Sequence, residues 1–405
     1  MKELKIIIAG AEIKTVNRGC TALSISTMYL LDELLSRKKI SYKLYLPNSG
    51  FADNECRTYK IGEKEIVFYP WKYPISDLKE FLKAIYKRQN PLKYKKIYKD
   101  ADFILDLGLG DSFADIYGEA RFNKIDKIHV LARKYRRPYC ILPQTIGPFS
   151  DNKIKDLADR SISHASIVMA RDKQSLDYVL QNVPEQKNIA EYIDVAFFMP
   201  YKKEKISHDM VNVGISISDL LWRGGYTGHN EFGLLDDYQK VIRHIIHFFL
   251  KKENVRLHLV GHVVNGERWS ENDYALCYDL SKEYNDSRIV CAPYFLGPIE
   301  AKNYVAGLDF FMGARMHATI AAFSSGVPVV PMAYSRKFNG LFEGTLQYPY
   351  MIDMKVDTIE TMISKIDESF SNRGELKEII DNRMSTIVEE RRKLLIKNLK
   401  IFFNI

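Results

Sequence analysis

The chain has 405 residues, 46% hydrophobic and 27% charged, and its formal net charge at pH 7 is +8. This composition excludes collagen-like, low-complexity and largely disordered proteins, and the length is sufficient for two domains that each bury a core. Five cysteines without a C-x-x-C pair argue against a disulfide framework or a zinc site, so we expect a cytoplasmic protein without a bound metal.

The first half of the chain alternates short β-branched runs with longer amphipathic stretches, the pattern of repeated β-α units. The predicted strands are 4–10, 42–47, 65–70, 102–108, 138–144, 166–172 and 194–199. The predicted helices are 19–37, 76–89, 121–136, 151–164 and 173–182. The polar, aperiodic segment 199–209 is predicted to be a linker.

A second α/β series follows the linker. Its predicted strands are 211–218, 255–261, 289–291, 309–313 and 328–333, and its predicted helices are 235–251, 271–284 and a long charged one near 374–400. We therefore expect an α/β fold with two Rossmann-like domains, 1–205 and 206–370, facing across a cleft, and a C-terminal helical extension over 371–405. Ligands of such open sheets bind beyond the carboxyl ends of the strands.

One uncharged stretch, Met316–Ser335, has the length of a transmembrane helix. It contains Gly326, Pro328 and Pro331, which predict a helix that ends near Gly326 and a buried strand after it. We therefore do not expect this stretch to cross a membrane.

The strongest candidate site is the segment 309–326, where a strand reaches Gly313 and an Ala-rich helix follows. Arg315 and His317 fall in the first helical turn, where unsatisfied N–H groups and the positive end of the helix dipole favour an anion. Phosphate or carboxylate binding is therefore predicted. The alternative is that Arg315 pairs with a nearby acid and His317 packs in the core.

Basic residues also follow the next predicted strand, where Arg336 and Lys337 come directly after 328–333. Adjacent parallel strands would place them beside Arg315. The alternative is an ordinary solvated turn.

In the first half, the strand 102–108 leads into a Gly-rich turn with Gly108, Gly110, Asp111 and Ser112. Glycines allow close backbone approach to a ligand, although a turn and helix cap would need the same residues. The strand 166–172 ends in Arg171 and Asp172, of which Asp172 could simply be an N-cap.

Three further turns complete the candidates. His262 stands at a strand end, before the acidic residues Glu271 and Asp273, which satisfy a helix dipole by themselves. The turns 17–23 and 143–149 are of the same kind. The sequence contains no Walker A, H-E-x-x-H or G-x-S-x-G motif.

Together these segments resemble the polysaccharide pyruvyl transferase family. The likeness runs in order over about residues 5–345, and its most specific part is the block GARMHA…GVP…YSRK. The segments concerned are NRGCTA (17–22), DLGLGDSFADIYG (106–118), LPQTIGPF (142–149), ARDKQS (170–175), DVAFFM (194–199), END (271–273) and the block at 313–337.

The resemblance implies a two-domain, GT-B-like enzyme. Such enzymes move the enolpyruvyl unit of phosphoenolpyruvate onto two sugar hydroxyls of a bacterial capsule or exopolysaccharide repeat unit, which leaves a pyruvate ketal and free phosphate. The acceptor side would be 1–205 and the phosphoenolpyruvate side 206–370. Cys20 and Leu109 depart from residues common in the family.

The resemblance also implies roles for individual residues. Phosphoenolpyruvate would be bound by Arg171, Arg315, His317 and Lys337. From the mechanism of such a transfer, we expect His317, Arg315 and Asp111 to be the catalytic residues, with His317 as the general acid or a phosphate ligand and Asp111 as the base for the sugar hydroxyl. The acceptor-side candidates are Asn17, Gly19, Gly108, Gly110, Asp111, Ser112, Gln144 and His262.

Two other functions fit the pattern. A GT-B glycosyltransferase would use a nucleotide-sugar donor, with Glu300 as the residue that contacts the ribose. A non-catalytic glycan-binding subunit would not need clustered cations at helix starts.

The expected partners are phosphoenolpyruvate and a lipid-linked or free oligosaccharide, without a cofactor. We expect no nucleic-acid partner, because the net charge is modest and no recognition motif accompanies it. The basic segments 83–99 and 132–137 are either solvated helix faces or a peripheral contact with the anionic inner face of a membrane.

Overall fold

The computed structural model describes residues 3–47, 51, 55–71, 82, 85–86, 91–207, 209–266 and 271–405, with side chains omitted at 91–95. The chain divides into two compact units. The first comprises Met1–Thr15, Leu23–Val195 and Glu390–Ile405, and the second comprises Val16–Ala22 and Ala196–Glu389. The predicted ranges 1–205, 206–370 and 371–405 follow one another along the chain, whereas the observed units interleave.

The first unit is built on an eight-stranded sheet in the order β3-β4-β2-β1-β5-β6-β7-β8. All neighbouring strands are parallel except β3 and β4. The strands are β1 (Leu4–Ala9), β2 (Tyr42–Pro47), β3 (Arg57–Ile61), β4 (Lys64–Trp71), β5 (Phe103–Asp106), β6 (Tyr139–Gln144), β7 (Ile167–Ala170) and β8 (Ile189–Glu191).

Helices cover this sheet. They are α1 (Arg18–Arg37, whose first turn belongs to the second unit), α2 (Pro91–Asp100), α3 (Glu119–Lys134), α4 (Asn152–Ser163), α5 (Lys173–Asn182) and, from the end of the chain, α14 (Glu389–Phe403). Asp151 and Asp172 start α4 and α5 as N-caps, because their side chains accept from Ile154 N and Ser175 N. The capping role that we had considered for Asp172 is therefore confirmed.

The second unit contains a six-stranded parallel sheet in the order β11-β10-β9-β12-β13-β14. The strands are β9 (Val211–Ser216), β10 (Val255–Val260), β11 (Ile289–Cys291), β12 (Phe310–Gly313), β13 (Val329–Ala333) and β14 (Ile352–Asp353). The helices are α6 (Asp219–Trp222), α7 (Tyr238–Leu250), α8 (Asp273–Tyr284), α9 (Pro298–Ala306), α10 (Met316–Ser324), α11 (Arg336–Phe338), α12 (Ile359–Ser371) and α13 (Arg373–Arg383). The predicted fold class, two parallel-sheet α/β domains with a helical C-terminal region, is confirmed.

Several predicted elements need correction. The predicted strand 194–199 is wrong, since Val195–Phe198 form a 3-10 turn. The prediction failed because the hydrophobic pattern of a short apolar run does not distinguish a strand from a buried turn. The predicted helix near 374–400 is α13, a π-helical turn at Met384–Val388, and α14. The short strands β3, β8 and β14 were not predicted, and the predicted helix 76–89 lies largely outside the described residues.

The uncharged stretch Met316–Ser335 forms α10 and β13, both buried, as its Gly and Pro residues predicted. Among the residues that the structure describes, no helix combines the length and apolar content needed to cross a bilayer.

Candidate functional site

The strand order of the second sheet reverses between β9 and β12, which makes their carboxyl ends the topological switch point where open α/β sheets bind ligands. Ser216 and Gly313 pair at these ends. A Cβ atom on Gly313 would lie 2.6 Å from the Cβ of Ser216, so only glycine allows the two strands to approach this closely. The chain continues from Gly313 directly into the predicted anion site.

Helix α10 begins at this switch point. Arg315 is its N-cap residue and His317 lies in its first turn, as predicted. Lys337 lies in α11, just beyond β13, which pairs with β12. The structure therefore brings Arg315, His317 and Lys337 to the same edge of the second sheet.

The side chain of Arg315 is held by two carboxylates. Its Nε donates to Asp273 Oδ2 at 2.9 Å, and its Nη2 donates to Asp273 Oδ1 at 2.5 Å and to Glu271 Oε1. Burial alone would lower the pKa of Arg315, but the charges of Asp273 and Glu271 raise it well above its usual value. The alternative considered from the sequence, an Arg paired with a nearby acid, is what the structure contains. Among the described residues, none accepts a hydrogen bond from Nη1.

Asp273 is fully buried and fixes three loops at the switch point. Besides Arg315, its oxygens accept hydrogen bonds from the backbone N–H groups of Asp219, His262 and Val263, at 2.9, 3.2 and 2.8 Å. These groups follow β9 and β10, while Arg315 follows β12. The sequence analysis assigned Asp273 only a helix-dipole role, because its partners lie far away along the chain.

The segment Val16–Ala22 belongs to this unit and lies against the loop after β10. Arg18 N donates to His262 O at 3.1 Å, and Val264 N donates to Val16 O at 2.9 Å. Asn17 Oδ1 accepts from Gly19 N at 2.9 Å. Asn17 and Gly19, predicted for the N-terminal domain, are therefore in the second unit.

Gly19 lies against the imidazole of His317. A Cβ atom on residue 19 would be 2.3 Å from His317 Nδ1 and 2.8 Å from its Cγ. The glycine is thus required by a side chain whose position in the sequence is remote. The segment NRGC, which contains the acceptor-side candidates Asn17 and Gly19, therefore lies in direct contact with the predicted donor-binding helix.

His262 is buried near Arg18, Arg315 and His317. Burial lowers its pKa well below the usual value, and the charges of His317, Arg315 and Arg18 act in the same direction. The imidazole is therefore neutral at physiological pH. Its Nε2 is buried and has no hydrogen-bond partner among the described residues.

Tyr226 is a residue near the site that the sequence analysis did not consider. It lies on the Gly-rich loop after α6 and is 71% exposed. Although the side chain is largely exposed, partial desolvation and the charge of Glu271 raise the pKa of Tyr226, whereas Arg315 and Lys337 act in the opposite direction. Its hydroxyl is therefore within electrostatic reach of the Arg315 and Lys337 groups.

The first unit has its own switch point, between β1 and β5. A Cβ atom on Gly10 would lie 2.8 Å from Gly108 N, and one on Gly108 would lie 1.5 Å from Gln144 Oε1. Gln144 Nε2 donates to both the backbone and the side-chain oxygens of Asp106, at 3.2 Å. Gly108 and Gln144, predicted separately, are therefore in contact.

Arg171 is in the first unit and is 2% exposed. Its Nη1 donates to Asp194 at 3.0 Å, and its Nη2 donates to Thr145 Oγ1. A Cβ atom on Gly110 would lie 3.2 Å from Arg171 Nη1. Arg171, Gly108, Gly110 and Gln144 thus form one group within the first unit.

Asp111 and Ser112 follow the same glycine turn. Asp111 Oδ2 accepts from the hydroxyl of Tyr117 at 3.0 Å, and Ser112 is buried, with its Oγ accepting from Arg121.

Glu300, the candidate for nucleotide recognition, is an exposed residue in the first turn of α9. In the described ranges, no group of His, Cys, Asp and Glu side chains is placed to hold a metal ion.

His129 is a buried charged group that no motif indicated. Its Nδ1 lies 3.3 Å from Asp126 Oδ1 and its Nε2 lies 3.1 Å from Asp106 Oδ2. Burial alone would lower the pKa of His129, but the hydrogen bonds to the two carboxylates raise it to about 9. The imidazolium therefore anchors Asp106, which in turn accepts a hydrogen bond from Gly108 N at 3.1 Å.

Comparison with solved structures identifies the fold. Sucrose-phosphate synthase from Thermosynechococcus elongatus matches with a TM-score of 0.60 and 11% identity, over 99% of this chain and 100% of the other. A putative UDP-N-acetylglucosamine 2-epimerase from Listeria monocytogenes matches with a TM-score of 0.57 and 10% identity, over 100% of this chain and 98% of the other. At these identities the likeness concerns the fold alone, which is that of GT-B glycosyltransferases and related epimerases.

Comparison of sequences identifies the family. The amylovoran biosynthesis protein AmsJ of Erwinia amylovora is 19% identical over 310 residues, which cover 73% of this chain and 71% of that protein. The family profile described as polysaccharide pyruvyl transferase matches residues 17–336, a range that includes Gly19, the Gly108 turn, Arg171, Asp273 and the start of α10. The chain therefore belongs to the polysaccharide pyruvyl transferase family, and it is a transferase enzyme.

Proposed function

We propose that the protein transfers the enolpyruvyl group of phosphoenolpyruvate onto two hydroxyls of one sugar in a surface-polysaccharide repeat unit. The products are a cyclic pyruvate ketal and inorganic phosphate. Phosphoenolpyruvate is a donor substrate in this reaction, and no cofactor takes part. The acceptor is a lipid-linked or free oligosaccharide, and the reaction takes place in the cytoplasm.

The observation that carries the proposal is the convergence of α10, His317 and Lys337 at the switch point of the second sheet. The donor carries a phosphate and a carboxylate close together, so its binding requires several N–H donors and cations. The first turn of α10 supplies backbone N–H groups, and Lys337 supplies a cation at the same edge of the sheet. For Arg171, the support is the resemblance of its A-R-D segment alone.

The pairing of Arg315 refines its proposed role. Asp273 and Glu271 more than balance its charge and fix the guanidinium through Nε and Nη2, so that Nη1, which donates to no described residue, is the group that we propose for the ligand. A guanidinium fixed in this way is already oriented before the anion binds, so the binding step orders one side chain fewer. We assign to Lys337 and the α10 N–H groups the larger share of the attraction.

The proposed chemistry begins with protonation of the methylene carbon of the donor, which creates an oxocarbenium-like centre. One sugar hydroxyl attacks the phosphate-bearing carbon, where the positive charge develops, and loses its proton. The bond between this carbon and the phosphate oxygen then breaks, and the second hydroxyl attacks the same carbon and loses its proton, which closes the ketal. His317 is the proposed proton donor or phosphate ligand. His262 and Gly19 lie beside it, and Asp111 is proposed as a base for the sugar hydroxyl.

Ligand-dependent thermal stability tests the donor without knowledge of the acceptor. A ligand at about 100 times its Kd adds roughly 3 kcal/mol to the free energy of unfolding, so phosphoenolpyruvate should raise the Tm measurably. Arg315→Ala and Lys337→Ala should each weaken the interaction by about 2–4 kcal/mol, the scale of a lost charge-assisted contact. Lys355→Ala is the matched control, since Lys355 is an exposed cation of the same unit.

The alternative donor is tested in the same experiment. The fold is shared with enzymes that use nucleotide sugars, so UDP-glucose is titrated in parallel. A Tm shift with UDP-glucose and none with phosphoenolpyruvate would refute the proposal and indicate a glycosyltransferase. A phosphoenolpyruvate shift that is equal in Lys337→Ala and Lys355→Ala would refute the assigned site.

A further inference from the structure

A cavity of about 390 Å³ lies within the first unit, between the C-terminal half of α1 and helix α14. It is separate from both groups of site residues described above. The lining residues are Glu33, Leu34, Arg37, Lys38, Arg392, Lys393, Ile396, Lys397 and Lys400.

The floor of this groove is apolar and its rim is basic, because each helix presents one face to it. On α14, Lys393, Ile396, Lys397 and Lys400 recur at the spacing of one helical face. The opposite face of the helix is buried in the unit, through Leu395, Leu399 and Phe402. The lysine-bearing face is therefore held in place by packing on the other side.

The positive charge of the rim is only partly balanced. Glu33, the one acid among the described lining residues, accepts from Arg37 Nη2 at 2.6 Å and from Arg392 Nη2 at 3.0 Å. Lys38, Lys393, Lys397 and Lys400 form no ion pair with any described residue. The groove therefore combines apolar side chains with lysines that have no ion-pair partner among the described residues. This combination favours a ligand that has both an anionic and an apolar part.

We propose that this groove docks the protein on an anionic lipid surface. Headgroup phosphates contact the lysines of α14 and Lys38, and the upper part of an acyl chain lies on Leu34 and Ile396. A soluble polyanion would satisfy the lysines but would leave the apolar floor without a partner, so the lipid is the occupant that uses both features. The inference does not depend on the proposed donor.

The basic segments singled out in the sequence fit this role less well. Part of 83–99 lies outside the described residues, and in the described part Lys96 donates to Asp100 at 2.5 Å. In 132–137, Arg133 donates to Ser161 Oγ at 2.7 Å. Helices α2 and α3, which carry these residues, share a core cluster that includes Ile97 and Ile128 and none of the groove residues.

Co-sedimentation with vesicles tests the proposal. The wild type should sediment with vesicles of phosphatidylcholine and phosphatidylglycerol and remain in solution with phosphatidylcholine alone. The triple variant Lys393→Gln, Lys397→Gln and Lys400→Gln should partition about a hundredfold more weakly, given the usual contribution of each lysine near an anionic surface. The matched control Lys96→Gln, Lys99→Gln and Lys134→Gln removes the same charge from α2 and α3 and should behave as the wild type.

Ile396→Ser and a soluble competitor separate a lipid from a simple polyanion. Ile396→Ser should weaken vesicle binding at constant charge, and inorganic polyphosphate should displace the protein incompletely. Equal binding by the two triple variants would overturn the groove as the docking site. Unchanged binding of Ile396→Ser together with complete displacement by polyphosphate would overturn the lipid assignment and indicate a soluble polyanion.

Discussion

At the scale of single residues, Gly19 approaches a side chain more closely than the other described glycines of the second unit do, and that side chain is His317. The ring of His317 fills the space that a side chain on residue 19 would occupy. The two residues are nearly 300 positions apart, yet the backbone of one fixes where the imidazole of the other can lie. This constraint can be tested through stability, independently of any substrate.

We expect Gly19→Ala to lower the free energy of unfolding by about 1–3 kcal/mol, because the new methyl group overpacks the imidazole. His317→Ala opens that space, so adding Gly19→Ala to it should cost much less. Urea denaturation of the two single variants and the double variant gives the coupling energy. Gly374→Ala is the control, since a Cβ there meets nothing within 4 Å. Additive effects would mean that the glycine and the ring are independent.

The residues of the site were predicted to different extents. Arg315, His317 and Lys337 were placed at strand ends correctly, because the alternation of strands and helices determines the sheet edge on which they lie. The partner of Arg315 could not be predicted, since Asp273 reaches it from another loop. Asp273 is visible in the sequence, but the distance between Asp273 and Arg315 depends on the order of the strands in the sheet.

At the scale of elements, β5, α3 and β6 are joined by the His129 imidazolium. It bonds Asp106 of β5 and Asp126 of its own helix, while Gln144 of β6 bonds Asp106 as well. This cluster supports the Gly108 turn, because Asp106 also accepts a hydrogen bond from Gly108 N. The stability that the cluster contributes depends on the protonation of the His129 ring.

The pKa of His129, about 9, is raised above its unfolded value of 6.5. The extra stability is therefore complete below pH 6.5 and is lost as the pH rises through 9. We expect the difference in unfolding free energy between the wild type and His129→Gln to shrink by about 3 kcal/mol over that interval. Amide exchange of β5 and β6 in the wild type and in His129→Gln, at several pH values, measures this difference in unfolding free energy. His164→Gln, at an exposed position, is the control, and a pH-independent difference for His129→Gln would contradict the prediction.

Helices were predicted best where an N-cap residue stands directly before a stretch of helical hydrophobic periodicity. Helices α4 and α5 begin one residue after the aspartates that cap them. The segment 194–199 is as apolar as a strand, yet its buried acid Asp194 pairs with Arg171 and the chain turns. Strands as short as β14 show no alternation, so the sequence alone does not predict them.

At the scale of the whole molecule, the chain enters and leaves each unit more than once. Helix α14 follows the second unit in the sequence but packs in the first. Phe402 and Phe403 contact the ring of Phe103 at the start of β5, with centroids 5.2 and 5.0 Å away. Arg391 and Arg392 add ion pairs to Glu191 and Glu33.

We expect Phe403→Ala to destabilise the first unit by about 3–5 kcal/mol, the usual loss for a buried phenylalanine. Amide exchange should accelerate in β1 and β5 and remain unchanged in β9 and β12. Ile401→Ala, at a position 63% exposed, is the control and should change neither unit. Equal acceleration in both units would mean that α14 does not belong to the first unit alone.

The late return of α14 has a consequence for biosynthesis. While the ribosome makes residues 196–389, the first sheet lacks its last helix, and the surface around Phe103 stays open. At roughly 5–20 residues per second this interval lasts about 10–40 s, far longer than the folding of a small α/β unit. The nascent first unit therefore remains partly assembled until residues 390–405 have been made.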